Sequence, residues 1–338
     1  MPTTKAWTYT TPSYPETLQQ TSIPVPATPA PHHLLVEVKA SALNPVDIQL
    51  MNMPTNSLPY LRGPKITGRD FAGVVLAAAA PDTTFLPGDE VMGVYMGLDG
   101  SGTLTEIAHL DARSACIVEK PARMSWTEAA SLPLVWLTAY TSVERCAPFM
   151  KKAIPAENKV AVLGGSSATG MYSIRIAKAR GWTVLSSCSG RNEAFVRGRG
   201  ADEVVDYTAA PDAVRNAVAA FKPDAIIDCV GGTECIGLAN QYVTIVGDKT
   251  DRSAMGGSLL YLTKPRMLLR WLLGYLGLGK SYECIMLEQR REWLRKAAEL
   301  TEDEIVIDSV FSFDEAKEAF ERLNTGRTRG KVVVRVDS

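Results

Sequence analysis

Two periods divide the chain. Across residues 34–120, apolar and polar positions alternate in short runs broken by turns. LLVEVKAS, at 34–41, alternates as a half-buried strand does. Residues 71–78 form a short apolar run behind a glycine. Pro87-Gly88-Asp89 is turn chemistry, followed by a strand pattern at 90–94. Prolines crowd residues 24–31 and mark a loop. These features predict a β-rich, barrel-like unit.

Near residue 125 the period changes. Ser125-Trp126-Thr127-Glu128 has the spacing of a capping box, so a helix starts there. Strand and helix patterns then alternate: strand 159–163, helix 170–180, strand 182–189, helix 191–200, then strands 203–206, 225–230 and 242–246. That order predicts a parallel, doubly wound sheet. Helices at 288–300 and 314–324 and a last strand at 331–336 follow, and are expected to return to the first unit. The expected fold is α/β. Residues 1–125 and 285–338 form one domain and 126–284 the other, with an apolar insert at about 253–284.

The insert is most apolar around LLRWLLGYLGLG. Arg266, Arg270 and Lys280 interrupt it, so no run reaches the length of a membrane span. Leu268, Leu272 and Leu276, with Leu269 and Leu273, share one helical face. An ordinary buried or subunit-contact helix is the first expectation. A cap over a lipophilic substrate and a membrane-surface helix are the alternatives.

Composition narrows the classes. The 338 residues suffice for two cores. A formal net charge of -1 gives no electrostatic case for nucleic acid or for an anionic membrane. The six cysteines stand singly, without a CxxC pair or a Cys/His cluster, so reduced thiols are expected and no metal site. The opening MPTTKAWTYTTPSYP has neither an apolar signal core nor an arginine-rich amphipathic pattern, which points to a cytoplasmic location. His109 lies in a strand-like segment with no nucleophile placed beside it and reads as a packed or surface histidine.

The most specific chemistry lies in VAVLGGSSATG, residues 160–170, where a strand ends in a glycine turn that opens a helix. Such a turn lets backbone N–H groups approach a phosphate, and the helix N-terminus favours an anion. Gly164 and Gly165 give the turn and Gly170 the close helix–strand packing. Ser166, Ser167, Ala168 and Thr169 offer amides and hydroxyls to a pyrophosphate. The second strand ends in Ser187-Cys188-Ser189-Gly190-Arg191, with no acid until Glu193. Ser189, Arg191 and Tyr207 suit a 2′-phosphate, which selects NADPH. Val230, Gly231, Val246, Gly247 and Lys331 complete the candidate cofactor residues.

LGGSSATG, GRDFAGVV, PGDEV, AASLPLVWLTAY, GADEVVDY and RGKVVV together resemble the medium-chain dehydrogenase/reductase superfamily over nearly the whole chain. ALNPVD, at 42–47, resembles its zinc-free, quinone oxidoreductase-like branch. The turn GGSSATG is similar to that of reticulon-interacting mitochondrial oxidoreductases and fungal trans-acting enoyl reductases. The resemblance implies a GroES-like β-barrel catalytic domain, a Rossmann domain and a cleft between them. Where zinc enzymes of the superfamily carry Cys and His ligands, this chain has Asn44 and Arg69, so it implies no metal. It also implies that Thr138 packs by the nicotinamide and that Asn44 bonds the substrate carbonyl or the cofactor. Tyr95, Tyr140 or water is expected to give the proton. Ser167 stands where the commoner quinone-reductase turn has glycine, which weakens any carry-over of that substrate.

The expected function is NADPH-dependent hydride transfer to an activated C=C, enone or enoyl, or to a quinone. One alternative is a non-catalytic NADPH-binding protein acting through a partner or a membrane. Another is an enoyl reductase that tailors a secondary metabolite. Loops 54–62 and 95–103 and the insert are rich in aliphatic and aromatic residues, so a hydrophobic small molecule is the expected substrate. A monomer or a homodimer is expected.

Overall fold

The computed structural model describes residues 2–10, 14–53, 63–79, 85–248 and 264–336. Loop 54–62 and residues 249–263, which include the start of the insert, lie outside them. The chain divides into two compact units. One takes Met1–Leu134 and the chain from Gln289 onward; the other takes most of the chain from Val135 to Glu288.

The first unit is built on strand β3 (His33–Leu43). Its neighbours are β5 (Asp70–Ala78), β7 (Ile107–Asp111) and β16 (Lys331–Arg335), all antiparallel to it. β15 (Ile307–Phe311) extends the sheet beyond β16, and β6 (Glu90–Tyr95) and β8 (Ala115–Glu119) extend it beyond β5. β1 (Thr3–Tyr9), β2 (Gln19–Pro24) and β4 (Lys65–Ile66) form a separate three-stranded sheet. One core gathers Leu34, Val36, Phe71, Val91, Tyr95, Leu110 and Ile117. A second joins Trp7, Leu43, Ile48 and Met51 to Phe320, Val332 and Val334 from the C-terminal segment. That burial explains why the chain returns: the run Val332–Val334 has no solvent face. α1 (Pro45–Met51) follows β3, and α9 (Ala316–Asn324) packs on β16. The expected capping box is present at α2 (Trp126–Ala130), where Ser125 Oγ accepts from Glu128 N–H.

In the second unit, six parallel strands run in the order β11 (Glu203–Asp206), β10 (Thr183–Cys188), β9 (Lys159–Leu163), β12 (Ala225–Asp228), β13 (Gln241–Thr244), β14 (Ser281–Cys284). Read in chain order this is 3-2-1-4-5-6, the doubly wound arrangement of dinucleotide-binding sheets. Strand order reverses between β9 and β12, which makes the space beyond their carboxyl ends the switch point. The core joins Ala161, Leu163, Leu185, Phe221, Ile226, Tyr242 and Met267.

Several elements differ from the sequence expectation. The helix expected at 191–200 begins as a 3-10 turn, Gly190–Asn192, before α5 (Glu193–Gly198). The one expected at 288–300 is α8 (Arg291–Arg295) with a 3-10 turn behind it. α6 (Ala213–Phe221) and the sixth strand, β14, are additions. α7 (Pro265–Tyr275), in the apolar insert, does not bury the Leu268, Leu272 and Leu276 face in this chain; that face is exposed. Its inward position is held instead by Met267 and Arg270.

Candidate functional site

In the second unit the glycine turn sits at the switch point. Gly164 has φ +86°, the left-handed region, and a Cβ there would meet Val230 Cγ1 at 2.3 Å. The end of β10 fastens the turn from the other side. Gly164 N–H donates to Ser187 Oγ at 3.0 Å, and Gly165 N–H to the Ser187 carbonyl at 2.9 Å. Ser167 caps α4 (Ala168–Ala179): its Oγ accepts from Gly170 N–H at 3.1 Å and donates to the Gly164 carbonyl at 2.7 Å. A Cβ on Gly170 would fall 2.2 Å from that carbonyl, so only glycine lets the helix start this close to the strand. The N–H groups of Ser166, Ala168 and Thr169 have no acceptor among the described residues. They leave an anion-seeking helix start at the carboxyl end of the sheet.

The other candidates in this unit group around the turn in part. Asp228, at the end of β12, shapes the loop that holds Val230 and Gly231. Its Oδ1 accepts from Val230 N–H at 3.0 Å and Gly231 N–H at 2.8 Å, and its Oδ2 from Thr244 Oγ1 at 2.9 Å. Burial pushes this carboxyl up, and those donors oppose the rise. Val246 N–H donates to Thr244 Oγ1 at 3.2 Å, and Gly247 follows with φ +61°. Sequence reasoning missed Asp228, although a strand-ending Asp ahead of Cys-Val-Gly-Gly was its signal. Beyond β10, Arg191 is exposed, and its guanidinium has no ion pair among the described residues. Tyr207 is exposed too. Asp206, also unforeseen, reaches Gly190: its carboxylate accepts from Thr208 N–H at 2.8 Å, from Thr208 Oγ1 at 2.7 Å and from Gly190 N–H. The bonds from Thr208 and then Gly190 hold its pKa below the usual carboxylate value.

Thr138 and Tyr140 lie on α3 (Pro133–Cys146), and both are buried. α3 is tied to α4 by Trp136, whose ring meets Tyr172 edge-on at 5.5 Å and Tyr140 at 5.9 Å.

In the first unit Asn44 and Lys331 meet, for a reason set by register. Val332 pairs with Leu43, so Lys331 stands opposite Asn44; Ala42 pairs with Asp70. The result is a buried polar network. Lys331 Nζ donates to Asn44 Oδ1, and to Asp70 Oδ2 at 3.0 Å. Asn44 Nδ2 donates to Asp70 Oδ2 at 3.0 Å and to the Ala42 carbonyl at 3.2 Å, so both amide hydrogens are engaged. Asp70 Oδ1 accepts from Leu134 N–H at 2.7 Å, in the first turn of α3. Asn44 N–H donates to Asp47 Oδ2 at 2.7 Å, while Asp47 Oδ1 is buried without a partner. Burial pushes the Asp47 carboxyl up to about 6, against the pull of the Arg69 guanidinium. Arg69 donates to the Gly97 carbonyl at 2.7 Å. Tyr95 is buried, and its hydroxyl donates to Asp99 Oδ1 at 2.8 Å. His109 accepts from Ala30 N–H at 3.3 Å and stacks on His33 at 4.5 Å.

A β unit closed by its own C-terminal strand and, in the same chain, a 3-2-1-4-5-6 sheet with a glycine turn at its switch point define a two-domain dehydrogenase. Known proteins agree. Residues 30–121 match the alcohol dehydrogenase GroES-like domain, and residues 199–334 the zinc-binding dehydrogenase domain. The mouse mitochondrial NAD(P)H oxidoreductase RTN4IP1 is 30% identical, over 90% of this chain and 82% of its own. The trans-enoyl reductase pgmF of Aspergillus terreus is 31% identical, over 91% of this chain and 87% of its own. The quinone oxidoreductase structure from Coxiella burnetii superposes with a TM-score of 0.79 at 25% identity, covering 99% of this chain and 100% of that one. The chain belongs to the medium-chain dehydrogenase/reductase family of oxidoreductases, as its motifs led us to expect.

Proposed function

We propose that the protein is an NADPH-dependent reductase that delivers hydride to an activated C=C, enone or enoyl, or to a quinone, without a metal. The observation that carries this reading is the turn. Three backbone N–H groups, of Ser166, Ala168 and Thr169, stand without acceptors among the described residues at the start of α4, at the switch point of the sheet. Gly164, Gly165 and Gly170 allow a pyrophosphate to approach them, and Val230 and Gly231 border the same turn. When bound, a dihydronicotinamide supplies the hydride. Arg191, with Ser189 and Tyr207, takes the 2′-phosphate; an exposed guanidinium is free to bind it in bidentate fashion. Thr138 and Tyr140 serve the nicotinamide end, supported by the packing of their helix on α4 through Trp136.

The donor set of the first unit does not fit zinc. Zinc takes thiolate, imidazole or carboxylate. Here Asn44 and Arg69 stand at the loop, and the Asp70 carboxylate holds the Lys331 ammonium. Asn44, with both amide hydrogens committed, acts by positioning this loop. The substrate is a hydrophobic small molecule, in keeping with the names of the trans-enoyl reductase and quinone oxidoreductase that the chain resembles.

One observation favours NADH instead. Asp206 lies beside Gly190, at the end of the second strand, where NAD sites carry an acid for the ribose hydroxyls. Titrating NADPH and NADH by nicotinamide fluorescence, with and without Arg191→Ala, separates the two. Tighter NADPH binding that the substitution weakens, with turnover of model enones or quinones, supports the proposal. Equal affinities untouched by Arg191→Ala overturn the NADPH assignment; binding without turnover leaves a non-catalytic NADPH-binding protein.

A further inference from the structure

α7 wears its polarity inside out. The helix packs on β14, closely enough that a Cβ on Gly274 would meet the Lys280 carbonyl at 2.9 Å. Its inward stripe is Met267, Arg270 and Gly274. Met267 enters the core of the second unit. Arg270 donates to Asp248 Oδ1 at 2.8 Å and lies over the Tyr282 ring at 4.7 Å, while the Tyr282 hydroxyl donates to the same oxygen at 2.7 Å. That polar lock fixes the rotation of the helix. The rest of the circumference is then forced outward. Leu268 is 50% exposed, Trp271 49%, Leu272 44% and Tyr275 78%, with Leu269, Leu276 and Leu278 beside them. Trp271 and Tyr275 stack at 5.8 Å on this face. A monomeric surface rarely leaves so continuous an apolar patch uncovered.

The charge around the face says what covers it. Residues 253–282 contain four cations, Lys264, Arg266, Arg270 and Lys280, and no acidic residue. Arg270 is spent on the Asp248 carboxylate, whereas Lys264 and Lys280 donate to uncharged carbonyls, of Asp248 at 3.0 Å and Gly237 at 2.7 Å; Lys264 and Arg266 stand at one end of the helix and Lys280 beyond the other. A two-fold partner copy would set this same segment against itself, so its cations would face only cations, with no acid in the segment to answer them. Protein interfaces also carry about one hydrogen bond per 100–200 Å². The outward face of α7 has no Asp, Glu, Asn, Gln, Ser or Thr to supply them. Leucines, a Trp/Tyr pair and a basic margin are the composition of a helix that lies in a lipid headgroup layer.

We propose that α7 docks the protein on an anionic bilayer surface, with Leu268, Leu269, Leu272, Leu276, Trp271 and Tyr275 entering the headgroup–acyl boundary and Lys264, Arg266 and Lys280 meeting lipid phosphates. This is peripheral association, since no described helix is long and apolar enough to cross a membrane. It holds whichever nicotinamide the enzyme uses, and it places an apolar substrate's own solvent beside the protein.

The test is flotation of the full chain with phosphatidylcholine vesicles, pure or containing about 30% phosphatidylserine. The protein is expected to float with the anionic vesicles roughly tenfold more than with the neutral ones, and to be released by salt. Leu268→Glu/Leu272→Glu should abolish flotation, and Arg266→Gln should lower it several-fold, about one cation's share. Nicotinamide binding should survive in both, because these side chains are exposed and outside the turn. Failure of the unaltered protein to float with anionic vesicles overturns the proposal, as does equal flotation with neutral ones. A dimer by light scattering that Leu272→Glu splits would assign the face to a second copy and overturn it equally.

Discussion

Lys331 and Asp70 form an ion pair, Nζ to Oδ2 3.0 Å, with side chains 4% and 0% exposed, although 261 residues separate them in sequence. Each charge is out of water and depends on the other, with Asn44 and Leu134 N–H completing the set around the carboxylate. Removing one partner strands the other. Lys331→Met should cost about 3–5 kcal/mol in urea unfolding, and the double variant Asp70→Asn/Lys331→Met should recover part of that loss. A lysine that served only a nucleotide phosphate would leave unfolding unchanged and alter nucleotide affinity alone.

Asp47 gives the first unit a pH dependence. Its folded pKa, pushed to about 6 by burial, lies above the 3.8 of an unperturbed Asp. Between those values the folded state holds a proton that the unfolded state has released. Its contribution is fully present below pH 4 and is lost as pH rises through about 6, by roughly 2–3 kcal/mol. Asp47→Asn keeps an acceptor for Asn44 N–H and cannot ionise. Unfolding free energies from pH 4 to 7 should therefore show the unaltered protein falling relative to the variant. Parallel curves would mean that Asp47 titrates normally.

The local features of both units were legible because they are written in short windows. The turn 160–170, the strand Glu203–Asp206 and the cap at Ser125 each need only neighbouring residues. The polar network was not legible. Asn44 reads alone as a loop residue, and nothing local tells that β16 will pair with β3 in a register that sets Lys331 opposite it. The outward face of α7 was hidden for a related reason. A leucine stripe at helical spacing marks a face but not its direction, and direction here comes from Asp248 and Tyr282, which lie outside the helix on either side of it in sequence. β14 is four residues long, Ser281–Cys284, with one residue fully buried, so it has no apolar run to announce it.

The phosphate turn leaves no room for a side chain at Gly170. Gly170→Ala sets a Cβ 2.2 Å from the Gly164 carbonyl, main chain that cannot step aside. It should destabilise the unit by about 1–3 kcal/mol and abolish nicotinamide binding in the fluorescence titration. Ser167→Ala removes the cap bond to Gly170 N–H and the bond to the Gly164 carbonyl. It should cost about 1 kcal/mol and weaken, rather than abolish, dinucleotide binding. Binding left intact in Gly170→Ala would show that the nucleotide does not use this turn.

Asp206 is a negative charge beside Gly190, where it would oppose a 2′-phosphate if one binds there. It is drawn to Gly190 by that residue's N–H and held by Thr208, on the strand beside β10. A phosphate held by Arg191 next to Gly190, as proposed, would feel its repulsion, screened by solvent. Asp206→Asn keeps an acceptor for Thr208 and removes the charge. If the enzyme uses NADPH, the variant should bind it about two- to fivefold tighter at low salt, with NADH unchanged and the gain shrinking as salt is raised. If the carboxylate instead accepts from ribose hydroxyls, the variant should lose NADH affinity and leave NADPH unchanged. The two cofactors thus move in distinguishable ways on one substitution, and Arg191→Ala in the same background shows whether the guanidinium and the carboxylate act on the same phosphate.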